Sequence, residues 1–517
     1  MHALENGILL IVVVAAGTVA ARRLRMEPSI LLVLVGVALS MVPGVPRFHL
    51  DPQVVLVLIL PPLLYAAASR TSVPAFRANL RPILLLAVGL TLFSTVVVGL
   101  VAHAVVPGLP LAAALALGAI LAPPDAVAAT AIARRTGLSR HLVTVLEGES
   151  LLNDATALVA YRVAVAAVVS GIFSPLEMTW RFALASVGGA AVGLAVGLLV
   201  GWLRRHIDDP MIDNTLSLVA PFAAYLPAER LGFSGVLACV TAGLMLGRAG
   251  PRVLTSRSRV LGTSVWEMVV FLINAFVFVL IGLQLPLVIG ETGRSLGEYI
   301  VIGAAVALTV VVVRIGWIFL STYLTAWLAR HSPGHKQPNW QNVTVLSWAG
   351  MRGSVSLAAA LALPTSPPFP GRSLILFSAF MVILATLVAQ GLTLPALVRR
   401  LGVTADLELG IEESHARQIA TEAALARIAG LRGEWPDHIP LVDQLRQRYE
   451  HRSEHVSADP TDEAADQELL EHQLIRHEVI EAERLAVIHL RDVGEISDDV
   501  LHRLERELDL EELRMEA

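Results

Sequence analysis

Long apolar runs separated by short clusters of Arg, Pro and Gly dominate the first 400 residues of the chain. A helix needs about 20 mostly apolar residues to cross the hydrocarbon core of a bilayer, and thirteen runs approach or exceed that length. The pattern predicts an all-α membrane protein with thirteen transmembrane helices. The runs lie near residues 6–21, 28–44, 53–69, 82–106, 110–133, 142–169, 182–203, 214–231, 232–249, 264–289, 297–327, 342–364 and 373–398.

The composition supports a membrane protein and divides the chain in two. Of the 517 residues, 55% are hydrophobic and 16% charged, which excludes a string of ordinary soluble domains. The formal net charge of -5 combines two unlike regions: residues 1–400 carry 27 Lys and Arg against 15 Asp and Glu, whereas residues 401–517 carry 12 against 29. We therefore predict a transmembrane domain over 1–400 and an acidic cytoplasmic helical domain over 401–517. An acidic tail is a poor partner for nucleic acid.

The orientation follows from the basic residues between the predicted spans. One set of alternate loops holds 19 Arg and Lys residues, and the other set holds five. Because cytoplasmic loops carry the basic excess, this division predicts an outside N-terminus and a cytoplasmic C-terminus in the cell inner (plasma) membrane. The single cysteine, Cys239, lies in an apolar run, so neither a disulfide framework nor a thiol metal site is predicted.

The tail combines high charge with short amphipathic patterns. Leu501, Leu504 and Leu508 follow Ser497 at helical spacing, with the serine as a predicted N-cap. The polar stretch 449–463 contains a proline and predicts a linker inside the tail. Two interpretations of the tail remain open, a solvated helical domain without a ligand and a regulatory domain that binds a ligand or protein.

The predicted fifth span carries an acid beside two prolines. In the sequence LGAILAPPDAVAATAI, Asp125 directly follows Pro123 and Pro124. Two prolines remove two helical donors, so the helix is expected to break and to leave carbonyl groups free beside a carboxylate. An ionisable residue at mid-membrane costs about 2.5–3.5 kcal/mol on insertion scales, which favours a functional role over a simple kink.

The predicted sixth span, VLEGESLLNDATALVAY, presents oxygen atoms on one side. Glu147, Ser150 and Asp154 stand at positions i, i+3 and i+7, and Glu149 with Asn153 at i and i+4. Carboxylate, hydroxyl and amide oxygens suit a hard cation, whereas a transition metal prefers His or Cys. For Glu147 a role as a helix-end cap is an open alternative.

Three arginines, Arg162, Arg314 and Arg352, lie inside predicted spans, and Arg162 is expected to reach water near the outer end of its span. Arg314 in the eleventh span is too deep to reach water easily, so it requires an acid partner, for which Glu149 is the best candidate. The twelfth span, LSWAGMRGSVSLAAALALP, is interrupted at Gly350, Arg352 and Gly353. Arg352 either neutralises the C-terminal end of a half-helix or lines an ion path; a packing notch made by the glycines is the alternative.

The two broken spans, the fifth and the twelfth, run in opposite directions through the bilayer. This arrangement is expected of a secondary transporter built from inverted repeats, with its site at the crossing of two discontinuous helices. A GxxxxGK[ST] motif for ATP-driven pumping and a carbonyl filter motif for a channel are both missing from the sequence. No nucleophile-base-acid set supports an enzyme.

The motifs resemble a known family. GESLLNDATALVAY closely resembles the Glu-Ser-Leu-Leu-Asn-Asp signature of the sodium/proton exchangers in the monovalent cation:proton antiporter 1 family. Similar segments follow along residues 1–400, namely LPPLLYAAA, APPDAVAATAI, FSGVLACVTAGLMLG, FLINAFVFVLIGLQL, VRIGWIF and WAGMRGSVSLAAALALP. The resemblance implies a thirteen-helix homodimer in which a core subdomain moves against a dimerisation subdomain, without a cofactor.

The resemblance also implies a site and an activity. The residues it assigns are Asp154, Asp125, Asn153 and Ser150 for ion and proton binding, with Na+ held by Asp154, Asp125 and Ser150; Glu149 and Arg314 as a structural ion pair; and Arg352 and Pro124 as supports. The Asn-Asp pair is similar to that of electroneutral exchangers, so cytoplasmic Na+ is expected to leave in exchange for one external H+. Buried Asp154 would hold either ion in turn.

Two departures from the family pattern leave alternatives open. Pro124 stands where relatives often carry Thr, and the third span offers Tyr65 and alanines where some relatives carry an extra carboxylate. K+/H+ or Li+/H+ exchange therefore remains an alternative to Na+/H+ exchange. From a different class, a membrane sensor that retains the transporter fold and signals through its tail is a third hypothesis.

Overall fold

The computed structural model describes most of the chain as helix. The described residues are 2–24, 26–42, 55–125, 129–130, 132–133, 138–170, 175–290, 295–330, 338–365, 368–403, 406–456 and 477–490, with isolated positions between 500 and 511. Every regular element within these ranges is helical. The all-α prediction is confirmed for this part of the chain.

Backbone contacts divide the chain into two compact units, residues 1–404 and 405–517. The helices of the first unit are α1 (His2–Arg23), α2 (Pro28–Ser40), α3 (Leu60–Arg70), α4 (Val73–Ala78), α5 (Leu80–Leu84), α6 (Thr91–Val105), α7 (Leu111–Leu121), α8 (Arg140–Ser170), α9 (Pro175–Arg204), α10 (Pro210–Arg230), α11 (Gly235–Val253), α12 (Ser256–Leu283), α13 (Leu285–Gly290), α14 (Leu296–Ala329), α15 (Trp340–Trp348), α16 (Ser354–Leu361) and α17 (Arg372–Leu401). Short π-helical turns, Val55–Ile59 and Leu85–Leu90, precede α3 and α6.

Six helical stretches among the described residues are long and apolar enough to cross a membrane. They are Leu80–Val105, His141–Val169, Ala183–Arg204, Ser256–Gly290, Leu296–Leu328 and Arg372–Leu401. Shorter apolar helices accompany them at Pro28–Ser40, Val57–Arg70, Leu111–Leu121 and Gly235–Gly250. The total of thirteen transmembrane helices stays a prediction.

Glycines bring the helices of this unit into backbone contact. A Cβ atom at Gly36 of α2 would collide with the carbonyl oxygen of Val279 in α12, and one at Gly282 of α12 would collide with that of Val33. Close approach between small residues strengthens helix packing where lipid offers no hydrophobic driving force. The contact therefore fixes α2 against α12, the helix whose Val270 and Asn274 line the cavity described below.

Two helices stop inside the first unit where the sequence predicts breaks. Helix α7 ends at Leu121, two residues before Pro123, and a non-helical segment separates Trp348 of α15 from Ser354 of α16. The peptide N–H of Asp125 donates to the carbonyl oxygen of Met351 at 2.7 Å. The two interruptions thus meet in space.

The second unit contains α18 (Asp406–Glu434), a 3-10 turn (Pro436–His438), α19 (Ile439–Val456) and a helix over 477–490. The prediction of a linker over 449–463 is wrong for its first half, because α19 continues to Val456. An exposed i,i+4 pair between Arg446 and Glu450 at 2.7 Å supports that polar helix. Residues 457–463 and Ser497 lie outside the described residues.

Candidate functional site

A cavity of about 390 Å³ lies where the broken helices approach α8. Three acidic residues line it: Asp125 after α7, and Glu147 and Asp154 on α8. Apolar residues of α3 form the opposite wall, which ends at Arg70. The cavity therefore combines the carboxylates predicted from two separate motifs in one space.

The helical register of α8 determines which of its polar side chains face this cavity. Glu147, Ser150 and Asp154 share one stripe and all line it. Asp154 is 7% exposed, whereas neighbouring Asn153 is fully buried. The Asn153 amide Nδ2 donates to the carbonyl oxygen of Pro124 at 3.2 Å. Asn153 thus binds a carbonyl at the proline break and holds α8 against it.

The second break shapes the surroundings of Asp125. Gly353, at the start of α16, packs directly on the Asp125 carboxylate, and a Cβ atom added there would overlap Oδ2. The backbone of the same segment accepts the Asp125 N–H through Met351. Any side chain at position 353 would have to displace the acid, so the glycine is required for this geometry.

Glu149 and Arg314 form a bidentate ion pair beside the cavity. Arg314 Nη1 lies 2.6 Å from Glu149 Oε1, Nη2 lies 3.0 Å from Oε2, and both side chains are 1% exposed. Arg314 Nη2 also donates to the carbonyl oxygens of Leu346 and Ala349 at 3.2 and 3.3 Å. These carbonyls lie at the end of α15. Arg314 therefore fills the half-helix end role that the sequence offered to Arg352 as one alternative.

Arg352 is fully buried and is not among the residues that line the cavity. Its backbone N–H donates to Thr386 Oγ1 at 3.1 Å. Among the residues that the structure describes, its guanidinium nitrogens have no hydrogen-bond partner. Its two predicted roles, neutralising a half-helix end or lining an ion path, stay predictions.

The structure adds cavity residues that sequence reasoning missed. Asn274 of α12 and Ser356 of α16 line the cavity together with Thr130. Asn274 carries a weak signal, since it is one polar residue in the apolar run FLINAFVF. The helix-end interpretation of Glu147 is wrong, because α8 begins two turns earlier, at Arg140. The structure places Glu147 in the cavity, on the same side of α8 as Ser150 and Asp154.

Comparison with known proteins identifies the family of residues 8–400. The family described as sodium/hydrogen exchanger, transmembrane, matches residues 8–400. The chain belongs to the sodium/hydrogen exchanger family. A protein named as an uncharacterized Na+/H+ exchanger in Mycobacterium tuberculosis is 39% identical over 98% of this chain and 95% of its own length. The Na+/H+ antiporter ApNhaP of Aphanothece halophytica is 34% identical over 77% of this chain and 74% of its own.

Further relatives of this exchanger extend the comparison to cation range and fold. A sodium, potassium, lithium and rubidium/H+ antiporter of Bacillus pumilus is 31% identical over 81% of this chain and 64% of its own length. The solved structure of the sodium/proton antiporter MjNhaP1 from Methanocaldococcus jannaschii superposes with a TM-score of 0.59 at 20% identity, over 78% of this chain and 99% of that one. The protein is therefore an integral membrane secondary transporter of the antiporter class and not an enzyme.

Proposed function

We propose that this exchanger moves cytoplasmic Na+ outward in exchange for external H+, one for one, with Asp154 as the residue that holds either ion. The observation that carries the proposal is the shared cavity of Asp154, Asp125 and Ser150 at the crossing of the two helix breaks. Carboxylate and hydroxyl oxygens at that point are suitable ligands for a small hard cation.

Competition at one acid supplies the coupling. A buried carboxylate is costly when charged and empty, so Asp154 exchanges a proton for a cation instead of crossing the membrane unoccupied. The second member of the Asn-Asp pair is a neutral amide bound to the Pro124 carbonyl, so it offers no second exchangeable proton. One proton per cation, and hence electroneutral exchange, follows. Alternating exposure of the site to the two sides then links the two ion flows.

The proposal includes an arrangement in the membrane. The loop charges support an outside N-terminus and a cytoplasmic C-terminus in the plasma membrane, with residues 1–400 divided into a core and a dimerisation subdomain and acting as a homodimer. Residues 401–517 form the acidic cytoplasmic helical domain.

The test is cation-dependent proton movement in inverted membrane vesicles. Asp154→Asn should abolish the collapse of a preformed pH gradient by Na+, while Glu298→Gln, an exposed carboxylate in the first turn of α14, should retain it. A correctly inserted Asp154→Asn protein that still exchanges would overturn the assignment. If the exchange is electroneutral, a potassium diffusion potential across the vesicle membrane should leave the rate of Na+/H+ exchange unchanged.

A second candidate is K+/H+ or Li+/H+ exchange at the same site. It is favoured by the Bacillus pumilus relative, which is named as a sodium, potassium, lithium and rubidium/H+ antiporter, and by the apolar α3 wall of the cavity. That wall supplies leucines and alanines where a carboxylate could have narrowed the cation selectivity. The same vesicles challenged with each cation separately distinguish the candidates, because the preferred cation gives the lowest half-saturating concentration.

A further inference from the structure

A second cavity, of about 250 Å³, lies where the ends of α3 and α9 meet the beginnings of α10 and α12. Three arginines line it, namely Arg70, Arg204 and Arg259, and we call it the polar cavity. Among the residues that the structure describes, no Asp or Glu contributes to this lining. The three arginines belong to the loops with the basic excess, which the proposed orientation places on the cytoplasmic side. The polar cavity is therefore lined by cationic side chains at the cytoplasmic end of the helices.

Buried polar contacts hold the polar cavity in shape. Arg204 Nε donates to Asp213 Oδ1 at 2.6 Å, and Arg204 Nη2 donates to Asp213 Oδ2 at 2.9 Å. The Asn214 amide Nδ2 donates to the carbonyl oxygen of Ser258 at 3.3 Å and links α10 to α12. All four residues are buried. The end of α9 and the beginnings of α10 and α12 are thus fixed to one another around this space.

The other two arginines of the polar cavity are held less tightly. Arg70 Nη2 lies 3.9 Å from Glu267 Oε1, and the two side chains are 38% and 64% exposed, so this pair contributes only about 0–1 kcal/mol. Arg259 is exposed, and its Nη1 donates to the carbonyl oxygen of Leu254 at 3.2 Å. A guanidinium group carries five N–H donors in a planar fork that matches a phosphate group. Arg70 and Arg259 are therefore suited to bind a phosphate at the membrane surface.

A third cavity, of about 400 Å³, lies between α3, α10 and α12 and shares Trp266 with the polar cavity. Its other described lining residues are all apolar, among them Pro62 of α3, Phe222 of α10, and Ile273 and Phe276 of α12. We call it the apolar cavity. The two cavities therefore join a cationic end to an apolar end along the same three helices.

One face of α12 lines the two cavities in order. Arg259, Thr263 and Trp266 follow one another at helical spacing in the polar cavity, and Ile273 and Phe276 continue the same stripe in the apolar cavity. Trp266 and Phe276 are ten residues apart, which corresponds to about 15 Å along the helix axis. The hydrocarbon core of a bilayer is about 30 Å thick. The apolar cavity thus extends about as deep as the acyl chains of one leaflet.

We propose that the polar and apolar cavities together bind one anionic phospholipid of the cytoplasmic leaflet. Its phosphate contacts Arg70 and Arg259, and one acyl chain follows α12 as far as Phe276. Basic pockets between membrane helices on the cytoplasmic side are suited to anionic headgroups. A free phosphate would use only the polar cavity and an uncharged lipid only the apolar one, whereas an anionic phospholipid uses both. The inference goes beyond the exchange of ions and uses only the orientation proposed above.

The experiment follows quenching of Trp266 fluorescence by lipids with brominated acyl chains. The full chain is reconstituted in phosphatidylcholine vesicles that contain an increasing fraction of brominated phosphatidylglycerol, and the Trp266 signal is the difference between the protein and its Trp266→Phe variant. Brominated phosphatidylglycerol should half-quench this signal at a fraction at least about fivefold lower than brominated phosphatidylcholine does, because one arginine near an anionic lipid contributes about that factor in affinity.

Substitutions of the lining arginines test the headgroup contact in the same assay. Arg70→Gln and Arg259→Gln should each raise the half-quenching fraction of brominated phosphatidylglycerol about fivefold. Arg257→Gln is the matched control, because Arg257 is exposed two residues before Arg259 and does not line the polar cavity. Its half-quenching fraction should equal that of the parent. Asp154→Asn, which should abolish exchange, should leave the lipid measurement unchanged, so failure of the proposed function and failure of this inference are distinguishable.

Three results would overturn the lipid site. They are half-quenching at equal fractions of the two brominated lipids, an equal shift in Arg257→Gln and Arg259→Gln, and recovery of the Trp266 signal when inorganic phosphate is added. If Trp266→Phe or Arg259→Gln fails to insert, native mass spectrometry of the detergent-solubilised parent and Arg70→Gln proteins replaces the fluorescence assay. The parent should retain one phosphatidylglycerol per chain and Arg70→Gln clearly less, and equal retention would refute the proposal.

Discussion

The buried pair between Glu149 and Arg314 should contribute more to folding than to ion selection. Both side chains are 1% exposed and joined by two short hydrogen bonds, and Arg314 also serves two carbonyls at the end of α15. Removing one member of a buried ion pair costs about 3–5 kcal/mol, because the remaining charge is left without a partner in a low-dielectric interior.

The geometry predicts which single substitution lowers the free energy of unfolding more. Glu149→Gln keeps an amide oxygen that can accept from Arg314 Nη1, so its cost should lie near the lower limit, about 3 kcal/mol. Arg314→Met strands the carboxylate and also frees one buried carbonyl, at a cost of about 1–3 kcal/mol, and one part-buried carbonyl, so it should reach or exceed about 5 kcal/mol. The double substitution should cost clearly less than the sum, since no unpaired charge remains.

Equilibrium unfolding in mixed detergent micelles, followed by tryptophan fluorescence, measures these free energies. Arg162→Met is the control, because its pair with Glu229 at 2.7 Å is half-exposed and should contribute only about 0–1 kcal/mol. The folded fraction of each variant should transport the cations with the same order of preference as the parent protein. Additive costs in the double variant, or a well-folded single variant with an altered cation order, would refute this reasoning.

Two further predictions follow from other contacts. Gly353→Ala should reduce exchange at least tenfold in folded protein, because its methyl group would displace the Asp125 carboxylate, whereas Gly316→Ala, with open space around it, should transport normally in the same vesicle assay. In the tail, Arg427 lowers the pKa of Glu434 through their hydrogen-bonded ion pair. The pair therefore stabilises the end of α18 at pH values above the ordinary glutamate pKa, and this stabilisation is lost as the pH falls through the lowered pKa. Amide hydrogen exchange of the intact protein, corrected for intrinsic rate, should show weaker protection of that end below about pH 4, a difference that Glu434→Gln or high salt should remove. Normal ion exchange by Gly353→Ala would contradict the first prediction. An equal pH dependence of amide protection in Glu434→Gln and in the parent would contradict the second.

Local chemistry made much of the site predictable from sequence. Pro123 and Pro124 remove helical donors, and Gly350 and Gly353 lower helix propensity, so the interruptions near Asp125 and Gly353 were predicted without any tertiary information. Helical periodicity likewise brought Glu147, Ser150 and Asp154 onto one stripe. These features depend on a few neighbouring residues and on the geometry of a single helix.

The remaining details depend on side chains that reach other helices. Sequence spacing cannot show that the Asn153 amide binds the Pro124 carbonyl, or that Arg314, and not Arg352, contacts the end of α15. The tail gave the converse error: polar composition suggested a linker after Tyr449, yet a polar exposed helix needs only good helix formers and i,i+4 pairs. Long-range contacts decide the placement of Asn153 and Arg314, whereas local helix propensity decides the tail helix.

The hydrogen bond from the Asp125 N–H to the Met351 carbonyl has an evolutionary consequence. Each interruption satisfies a peptide group that the other has freed, and a buried peptide group without a partner is costly. A mutation that restored regular helix at Pro124 alone would strand its counterpart around Met351, and the reverse holds equally. The two half-helix junctions can therefore be inherited or lost only together, so descendants of this chain should change at both places in concert or at neither.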